Sequence, residues 1–296
     1  MGKAWFDASP AARSVFGRAD ALLGSRLGAP LSELCFSGPA ERLNQTDVSQ
    51  PAIFTASFAS WMALLARWGL SPGEAPVKAA AGLSLGEYTA LTLAGAMTFE
   101  EGLELVTLRG RAMQDAAVAS KGGMVALIGA DESQAQAVCD AARGGEVLVC
   151  ANFNAPGQIV ISGSAGACER SVAAAGNLGL KATSLPVAGA FHSPLMQPAA
   201  DQLAAALAQT PIRAARVPVI SNVTALDHAA DPDSIRSRLV EQLTRPVRWA
   251  ESCSLLASRV AVDSGTQWQE LAPGKTLMGL MRRIDRNVKV TPNDAP

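Results

Sequence analysis

The residues of this sequence best suited to nucleophilic chemistry are a serine in a glycine-flanked turn and one of only two histidines. Ser84 lies in Gly82-Leu83-Ser84-Leu85-Gly86, a G-x-S-x-G pattern. A serine hydroxyl is a weak nucleophile at neutral pH, so it needs a strained turn that exposes Oγ and a base that removes its proton. The helix after such a turn points free amides at a developing oxyanion, and the Leu85 N–H is the nearest. The pattern predicts covalent acyl transfer; a plain tight turn into a helix is the alternative interpretation.

The general base has few candidates because the chain holds only two histidines. His192 follows Phe191 between an apolar run and a proline-bounded helix start, whereas His228 lies in a polar stretch that predicts a solvated loop. We therefore expect His192 to be the base, with an ordinary core histidine as the alternative. The third member of a triad stays open, since a backbone carbonyl could orient the imidazole as well as any of five aspartates. Those aspartates are Asp115, Asp131, Asp140, Asp201 and Asp227.

Arg109 allows two interpretations. It lies on a predicted helix that also carries Glu101 and Glu104, and spacing alone favours a solvated face with ion pairs along the helix. The alternative is a planar fork that binds a substrate carboxylate, a task for which arginine is better shaped than lysine.

Composition excludes several classes of function. The 296 residues are 49% hydrophobic, and 25 basic residues nearly balance 26 acidic ones, so no overall field favours nucleic acid or an anionic membrane. Five scattered cysteines without a C-x-x-C pair argue against a zinc site or a disulfide framework and favour a reducing cytoplasm. No apolar run predicts a signal peptide or a membrane span.

The elements that must position these residues alternate between helices and strands, which predicts an α/β fold. Strands are expected at Val77–Ala81, leading to Ser84, and at Val217–Asn222, and both flanks should build one parallel sheet. Two βαβ-like units between these flanks predict an inserted ferredoxin-like subdomain over residues 119–188, within a discontinuous large subdomain of residues 1–118 and 189–296. The expected helices cover Ala11–Leu23, Ala52–Trp68, Glu87–Leu93, Phe99–Ala117, Glu132–Ala142, Ala165–Leu178, Met196–Gln209, Asp233–Leu243, Ala250–Ala257 and a stretch from Lys275.

Six motifs in this order resemble the malonyl-CoA:acyl carrier protein transacylases and their polyketide-synthase acyltransferase relatives. The likeness runs through nearly the whole chain, and several spaced motifs are far more specific than one serine turn. The motifs are Gly82–Tyr88, Arg109–Gln114, Ala151–Gln158, Phe191–Ser193, Val219–Val223 and Pro273–Lys275.

The resemblance implies a large α/β-hydrolase-like subdomain with a ferredoxin-like insertion, and it assigns roles to individual residues. It makes Ser84 the acylated nucleophile, His192 its base and Arg109 the partner of the malonyl carboxylate. The family orients its histidine with a backbone carbonyl, which falls at Gln242. Phe191 resembles the malonyl-selective form of the motif, and Asn222 of the fifth motif is expected at the substrate.

The resemblance also shows departures from the family pattern. Leu83 precedes the serine where many members carry histidine, and Ala272 stands where glycine is usual. The family opens with a strand and a Phe-Pro-Gly-Gln-Gly-Ser-Gln loop whose glutamine amide completes the oxyanion hole, and Met1 lies downstream of that position. We therefore expect an incomplete start that leaves only the Leu85 half of the oxyanion hole.

The function expected from the resemblance is transfer of a malonyl group from malonyl-CoA to the phosphopantetheine thiol of an acyl carrier protein in fatty acid biosynthesis. No metal or bound cofactor, nucleic acid or membrane partner is expected, and the protein should be a monomer. The alternatives are a trans-acting polyketide-synthase acyltransferase, a serine hydrolase, or a non-catalytic module that binds carrier proteins. A basic cluster of Arg282, Arg283 and Arg286 could dock an acidic carrier, although a solvated last helix turn is the plainer interpretation.

Overall fold

The first part of the chain is a layer of helices, of which α2 and α7 begin at a side-chain cap. The computed structural model describes residues 1–187, 189–260 and 265–296. Helix α7 starts after Thr98, whose side chain accepts a hydrogen bond from the Glu101 N–H while the Glu101 carboxylate accepts one from the Thr98 N–H. The helices of this layer are α1 (Lys3–Ala8), α2 (Pro10–Leu23), α3 (Leu31–Ser37), α4 (Ala40–Leu43), α5 (Thr46–Trp68), α6 (Gly86–Leu93) and α7 (Phe99–Ser120).

Helix α5 is the centre of the core. Contrary to the expectation that no apolar run is long enough to span a membrane, α5 is long and apolar enough by length and composition alone. However, 78% of its most apolar window is buried inside the protein, which indicates a core helix. A Cβ added to Gly110 of α7 would lie 2.7 Å from the Thr46 carbonyl oxygen, so the two helices approach closely at this glycine. The predicted start at Ala52 is wrong: the helix begins at Thr46 and includes Pro51, which removes only one backbone donor.

The middle of the chain forms a four-stranded antiparallel sheet with two helices, and it confirms the ferredoxin-like subdomain. Its strand order is β2-β3-β1-β4, and β1 is central, pairing with β3 from Gly122↔Ser164 to Ile128↔Gln158. The boundaries at residues 119 and 188 remain a prediction. The elements are β1 (Gly122–Ile128), α8 (Glu132–Arg143), β2 (Leu148–Ala155), β3 (Gln158–Ser164), α9 (Ala165–Asn177) and β4 (Lys181–Ser184).

The two faces of this small sheet have different neighbours. Side chains alternate along a strand, so Val125 and Leu127 of β1 pack in one cluster with residues of α8 and α9. On the opposite face, Met124 and Val160 form a second cluster against which Phe191 packs. The sheet therefore supports the residue that precedes His192.

The last part of the chain returns to the large core. The strands expected at Val77–Ala81 and Val217–Asn222 are wrong as strands, because the structure has only isolated bridge residues there. The two segments do pair in parallel, in one bridge, Ala80↔Val219. A second parallel pair joins β5 to β6. The elements are a 3₁₀ turn (Pro194–Met196), α10 (Gln197–Gln209), α11 (Pro232–Glu241), α12 (Trp249–Arg259), β5 (Trp268–Leu271), α13 (Thr276–Ile284) and β6 (Val290–Asn293).

Candidate active site

Ser84 stands on a strained turn between the Ala80 bridge and helix α6. Its φ of 50° is in the left-handed region that non-glycine residues rarely adopt. The side chain of Asn222 stabilises the turn by two hydrogen bonds to its backbone. Its Oδ1 accepts from the Ser84 N–H at 2.6 Å, and its Nδ2 donates to the Gly82 carbonyl at 2.7 Å. A Cβ on Gly82 would lie 1.9 Å from the Gly86 carbonyl carbon, so the turn requires glycine at that position.

The His192 imidazole joins the serine to a backbone carbonyl. Nε2 lies 2.9 Å from Ser84 Oγ, and Nδ1 lies 2.7 Å from the Gln242 carbonyl oxygen. Helix α11 ends at Glu241, so the Gln242 carbonyl is one of the acceptors that a helix end leaves free. Because a carbonyl only accepts, Nδ1 carries the proton and the Nε2 lone pair faces Ser84. None of the five candidate aspartates bonds to His192 in the described part of the chain.

Burial and a neighbouring cation keep His192 neutral. The pKa of His192 is lowered from 6.5 to about 4, first by burial and then by the positive charge of Arg109, while the hydrogen bond to the Gln242 carbonyl opposes the shift. The imidazole is therefore able to accept a proton at neutral pH. Like Ser84, His192 has a positive φ, 56°, which marks a second point of backbone strain.

Arg109 is buried in the site, so the solvated-face interpretation is wrong. The residue is 1% exposed, and burial lowers the pKa of its guanidinium. Nη2 donates to Ser84 Oγ at 3.0 Å and to Gln242 Oε1 at 2.9 Å, and Nη1 donates to Gln50 Oε1 at 2.6 Å. The Tyr88 ring lies 5.4 Å from Cζ, at cation–π distance. A desolvated cation thus touches the nucleophile.

One nitrogen of the guanidinium makes no hydrogen bond. Arg109 Nε is buried and has no hydrogen-bond partner among the described residues. The acids on the same helix are turned elsewhere, since Glu101 pairs with Arg213 and Glu104 with Arg26. A buried donor without a partner is costly, and an anionic ligand with a planar carboxylate is suited to this fork.

The remaining predicted site residues lie around the serine. The Leu85 N–H donates no hydrogen bond to another group in the described ranges, so it can serve an oxyanion. Phe191 is half-buried between the large core and the small sheet. Asn222 is 1% exposed and uses both side-chain polar atoms on the turn, so its substrate contact stays a prediction.

Sequence reasoning missed three polar residues of the site. Glu87 is fully buried one helical turn after Ser84, and Gln50 belongs to the part of α5 that the expected start excluded. The solvated loop expected around His228 is wrong for that side chain, which is 1% exposed and places Nε2 2.6 Å from Glu87 Oε1. Glu87 could have been noticed from its position in the first turn of α6, because an acidic side chain is favoured at the N-terminus of a helix.

The arginine cluster near the C-terminus is exposed at all three positions. One member is not free, because Arg283 Nη2 donates to the Pro156 carbonyl at 3.2 Å in the turn between β2 and β3. This residue connects α13 to the small subdomain, and the docking role of the cluster stays a prediction.

Comparisons with known proteins agree with this geometry. The model of the acyl transferase domain matches residues 1–273. A malonyl CoA-acyl carrier protein transacylase of Salmonella typhimurium is 42% identical over 276 residues, which cover 93% of this chain and 85% of the relative. The crystal structure of the corresponding enzyme from Xanthomonas oryzae pv. oryzae has a TM-score of 0.91 at 40% identity, covering 100% of this chain and 90% of that one.

A further similar structure contains a partner protein. It is a malonyl-transacylase in complex with a type II PKS acyl-carrier protein, with a TM-score of 0.91 at 34% identity. The match covers 100% of this chain and 92% of that chain.

Proposed function

The chain belongs to the acyl transferase domain family, and we propose that it transfers a malonyl group from malonyl-CoA to the phosphopantetheine thiol of an acyl carrier protein. The observation that carries this proposal is the convergence on Ser84 Oγ, which lies 2.9 Å from His192 Nε2 and 3.0 Å from Arg109 Nη2. A nucleophile, a neutral base and a buried cation meet at one oxygen atom. Transfer of an acyl group that carries a carboxylate needs all three.

The first half-reaction acylates the enzyme. His192 Nε2 takes the Ser84 proton as Oγ attacks the thioester carbonyl, and the Leu85 N–H donates to the oxyanion. The tetrahedral intermediate collapses, the carbon–sulfur bond breaks, and the imidazolium returns its proton to the CoA thiolate. The Gln242 carbonyl holds the ring and stabilises its charge. The product is a malonyl ester on Ser84.

The second half-reaction repeats these steps in reverse with another thiol. His192 removes the proton of the phosphopantetheine thiol, whose sulfur attacks the ester carbonyl, and Ser84 leaves with that proton. Arg109 binds the malonyl carboxylate throughout, so the carboxylate replaces Ser84 Oγ as an acceptor and reaches the unused Nε donor. Neither half-reaction requires a metal or cofactor, because the thioester and the pantetheine arm belong to the substrates.

The setting that we propose is fatty acid biosynthesis in the cytoplasm. Support for the compartment comes from the five cysteines, which are buried and free. A polyketide pathway is the second candidate, favoured by the similar structure that contains a type II PKS carrier. Transfer rates to purified fatty-acid and polyketide carriers separate the two, since the physiological carrier should have the higher kcat/KM.

Intact-protein mass spectrometry tests the reaction and the role of Arg109. Malonyl-CoA should leave a malonyl adduct that maps to Ser84 and is lost in Ser84→Ala. We expect Arg109→Ala to reduce kcat/KM for malonyl-CoA by about 100-fold, because the carboxylate loses a buried charged partner. Acetyl-CoA and methylmalonyl-CoA should acylate the wild-type protein poorly.

The matched control is Arg111→Ala on the same helix. Arg111 is exposed and pairs with Asp115, so its loss should leave transfer unchanged. Adduct formation in Ser84→Ala would overturn the proposal. Release of the adduct to water faster than to a carrier would assign a serine hydrolase, and carrier binding without any adduct would assign a non-catalytic module.

A further inference from the structure

A second buried polar group lies directly behind the catalytic residues. Glu87 is 0% exposed, and its two carboxylate oxygens face different partners. Oε1 is 2.6 Å from His228 Nε2, while Oε2 accepts from Gln242 Nε2 at 2.6 Å and from the Asn222 N–H at 3.2 Å. The reaction proposed above uses neither Glu87 nor His228.

Gln242 is the residue through which this group reaches the site. Its carbonyl accepts a hydrogen bond from His192 Nδ1–H, and its side-chain Oε1 accepts from Arg109 Nη2 at 2.9 Å. Its side-chain Nε2 donates to Glu87 and, at 2.9 Å, to the Ser84 carbonyl. The direction of this amide therefore decides whether an acceptor or a donor faces Arg109.

The carboxylate of Glu87 sets the direction of the Gln242 amide. Glu87 Oε2 also accepts from the Asn222 N–H, so it faces the Gln242 amide as an acceptor. The amide therefore turns its NH₂ toward Glu87 and its oxygen toward the guanidinium. A reversed amide would set its NH₂ against Arg109 and its oxygen against a buried carboxylate, and both contacts would be repulsive.

His228 fixes the carboxylate in turn. Its side chain is 1% exposed, and its Nδ1 has no partner among the residues described, so the Nε2–H tautomer is the one that satisfies Glu87 Oε1. The loop is held at its backbone as well, since the His228 N–H donates to the Val219 carbonyl at 2.8 Å. Without His228, Oε1 would lose its partner inside the core.

We propose that His228 and Glu87 are positioning residues that set the Gln242 amide and thereby aim the Arg109 guanidinium at a substrate carboxylate. This inference rests on the function proposed above. It adds a specificity determinant, the pair of Glu87 and His228, that contacts no substrate atom and includes a residue from a loop outside the site. The pair acts on recognition of the acyl carboxylate, so a substrate without a carboxylate should be insensitive to it.

The test compares two reactions of Ser84 in each variant. The first is kcat/KM for malonyl-CoA, and the second is the labelling rate with a neutral fluorophosphonate, which uses Ser84 and His192 but no carboxylate site. In His228→Leu we expect the malonyl rate to fall roughly tenfold or more while fluorophosphonate labelling changes by less than about twofold. His228→Gln, whose amide nitrogen can occupy the place of Nε2, should restore the malonyl rate.

Two further variants complete the design. Glu87→Gln keeps the size of the side chain but no longer fixes the direction of the Gln242 amide. The ratio of the malonyl rate to the fluorophosphonate labelling rate should therefore decrease in this variant. It provides the test if His228→Leu does not fold. Asp227→Asn is the matched control, because this exposed neighbour pairs with Arg259 and not with Glu87, and the ratio should stay at the wild-type value.

The outcomes separate the two proposals. Equal losses of both rates in His228→Leu and Glu87→Gln, or no rescue in His228→Gln, would overturn the positioning role. A wild-type protein that reacts with the fluorophosphonate but forms no malonyl adduct on Ser84 would overturn the proposed function instead.

Discussion

At the scale of single residues, the protonation of His192 connects catalysis to stability. The folded protein keeps this imidazole neutral down to about pH 4, whereas the unfolded chain protonates it near its ordinary pKa of 6.5. Between these two values the unfolded state binds more protons than the folded state. The free energy of unfolding therefore decreases as the pH falls through this window.

Urea unfolding at pH 7 and pH 5 measures this contribution. Over that interval we expect His192 to account for about 2 kcal/mol of lost stability, since its unfolded form is largely protonated at pH 5 and its folded form is not. His192→Gln removes the titrating group and should lose correspondingly less. Equal losses in the wild-type protein and the variant would show that the pKa is not lowered in the fold.

The sequence predicted the residues that carry chemistry better than those that support them. Ser84 and His192 were found from a turn motif and from the shortage of histidines, and Gln242 came from the resemblance alone. Glu87 and His228 were missed, because burial of a polar side chain depends on partners that lie 141 residues away. No local pattern distinguishes such a histidine from one in a solvated loop.

At the scale of elements, the serine turn depends on one of its two glycines more than on the other. The backbone of Gly86 passes so close to Gly82 that a methyl group on Gly82 would overlap it. A Cβ on Gly86 would meet no atom of the described residues within 4 Å. Only the first glycine is required by packing.

Alanine substitutions test this difference. We expect Gly82→Ala to lower the free energy of unfolding by about 3 kcal/mol or more and to abolish acylation, because the turn must open to admit the methyl group. Gly86→Ala should change stability by no more than about 1 kcal/mol, with helix propensity in its favour. Chemical unfolding and adduct formation measure both, and similar losses in the two variants would contradict the steric argument.

Element types were predicted from periodicity more reliably than element ends. Most long helices were predicted close to their bounds, but the start of α5 was placed six residues late, at Ala52 instead of Thr46. The short helices α1, α3 and α4 escaped prediction, because a stretch of fewer than eight residues carries too little periodic signal. Pairing such as that of β5 with β6 depends on contacts between distant segments, which spacing does not encode.

At the scale of the whole molecule, Val247 connects the small subdomain to the segment that orients His192. Val247 donates its N–H to the Ala151 carbonyl at 2.9 Å and accepts from the Phe153 N–H at 2.9 Å, which extends the small sheet by a parallel bridge. Gln242 lies only five residues earlier in the chain. The small sheet thus holds the segment that orients His192.

Substitution of Val247 by proline tests this connection. Proline removes the donor to Ala151, so we expect Val247→Pro to lose at least about 1 kcal/mol more stability than Val247→Ala, together with most of the malonyl transfer. Val247→Ala is the control, because it deletes more side-chain volume but keeps the backbone donor. Equal stability and transfer in both variants would show that the bridge does not support the site.

The α/β class and the ferredoxin-like subdomain could be predicted from the sequence because helices and strands alternate clearly in the middle of the chain, from β1 to β4. The extent of the parallel ladder could not, since it depends on how two segments more than a hundred residues apart meet. The same non-local dependence decided the burial of Arg109, which its helical spacing alone assigned to the surface.

The contacts of Ser84 also order events during synthesis of the chain. His192, Asn222 and Gln242 follow the serine by 108, 138 and 158 residues, and each bonds to the Ser84 side chain or backbone. The serine turn is translated before its base and before Asn222 and Gln242, the two residues that bond to the Ser84 backbone. A nascent chain therefore carries an unactivated hydroxyl, and reactivity toward thioesters begins only when the residues from His192 onward have folded onto the serine turn.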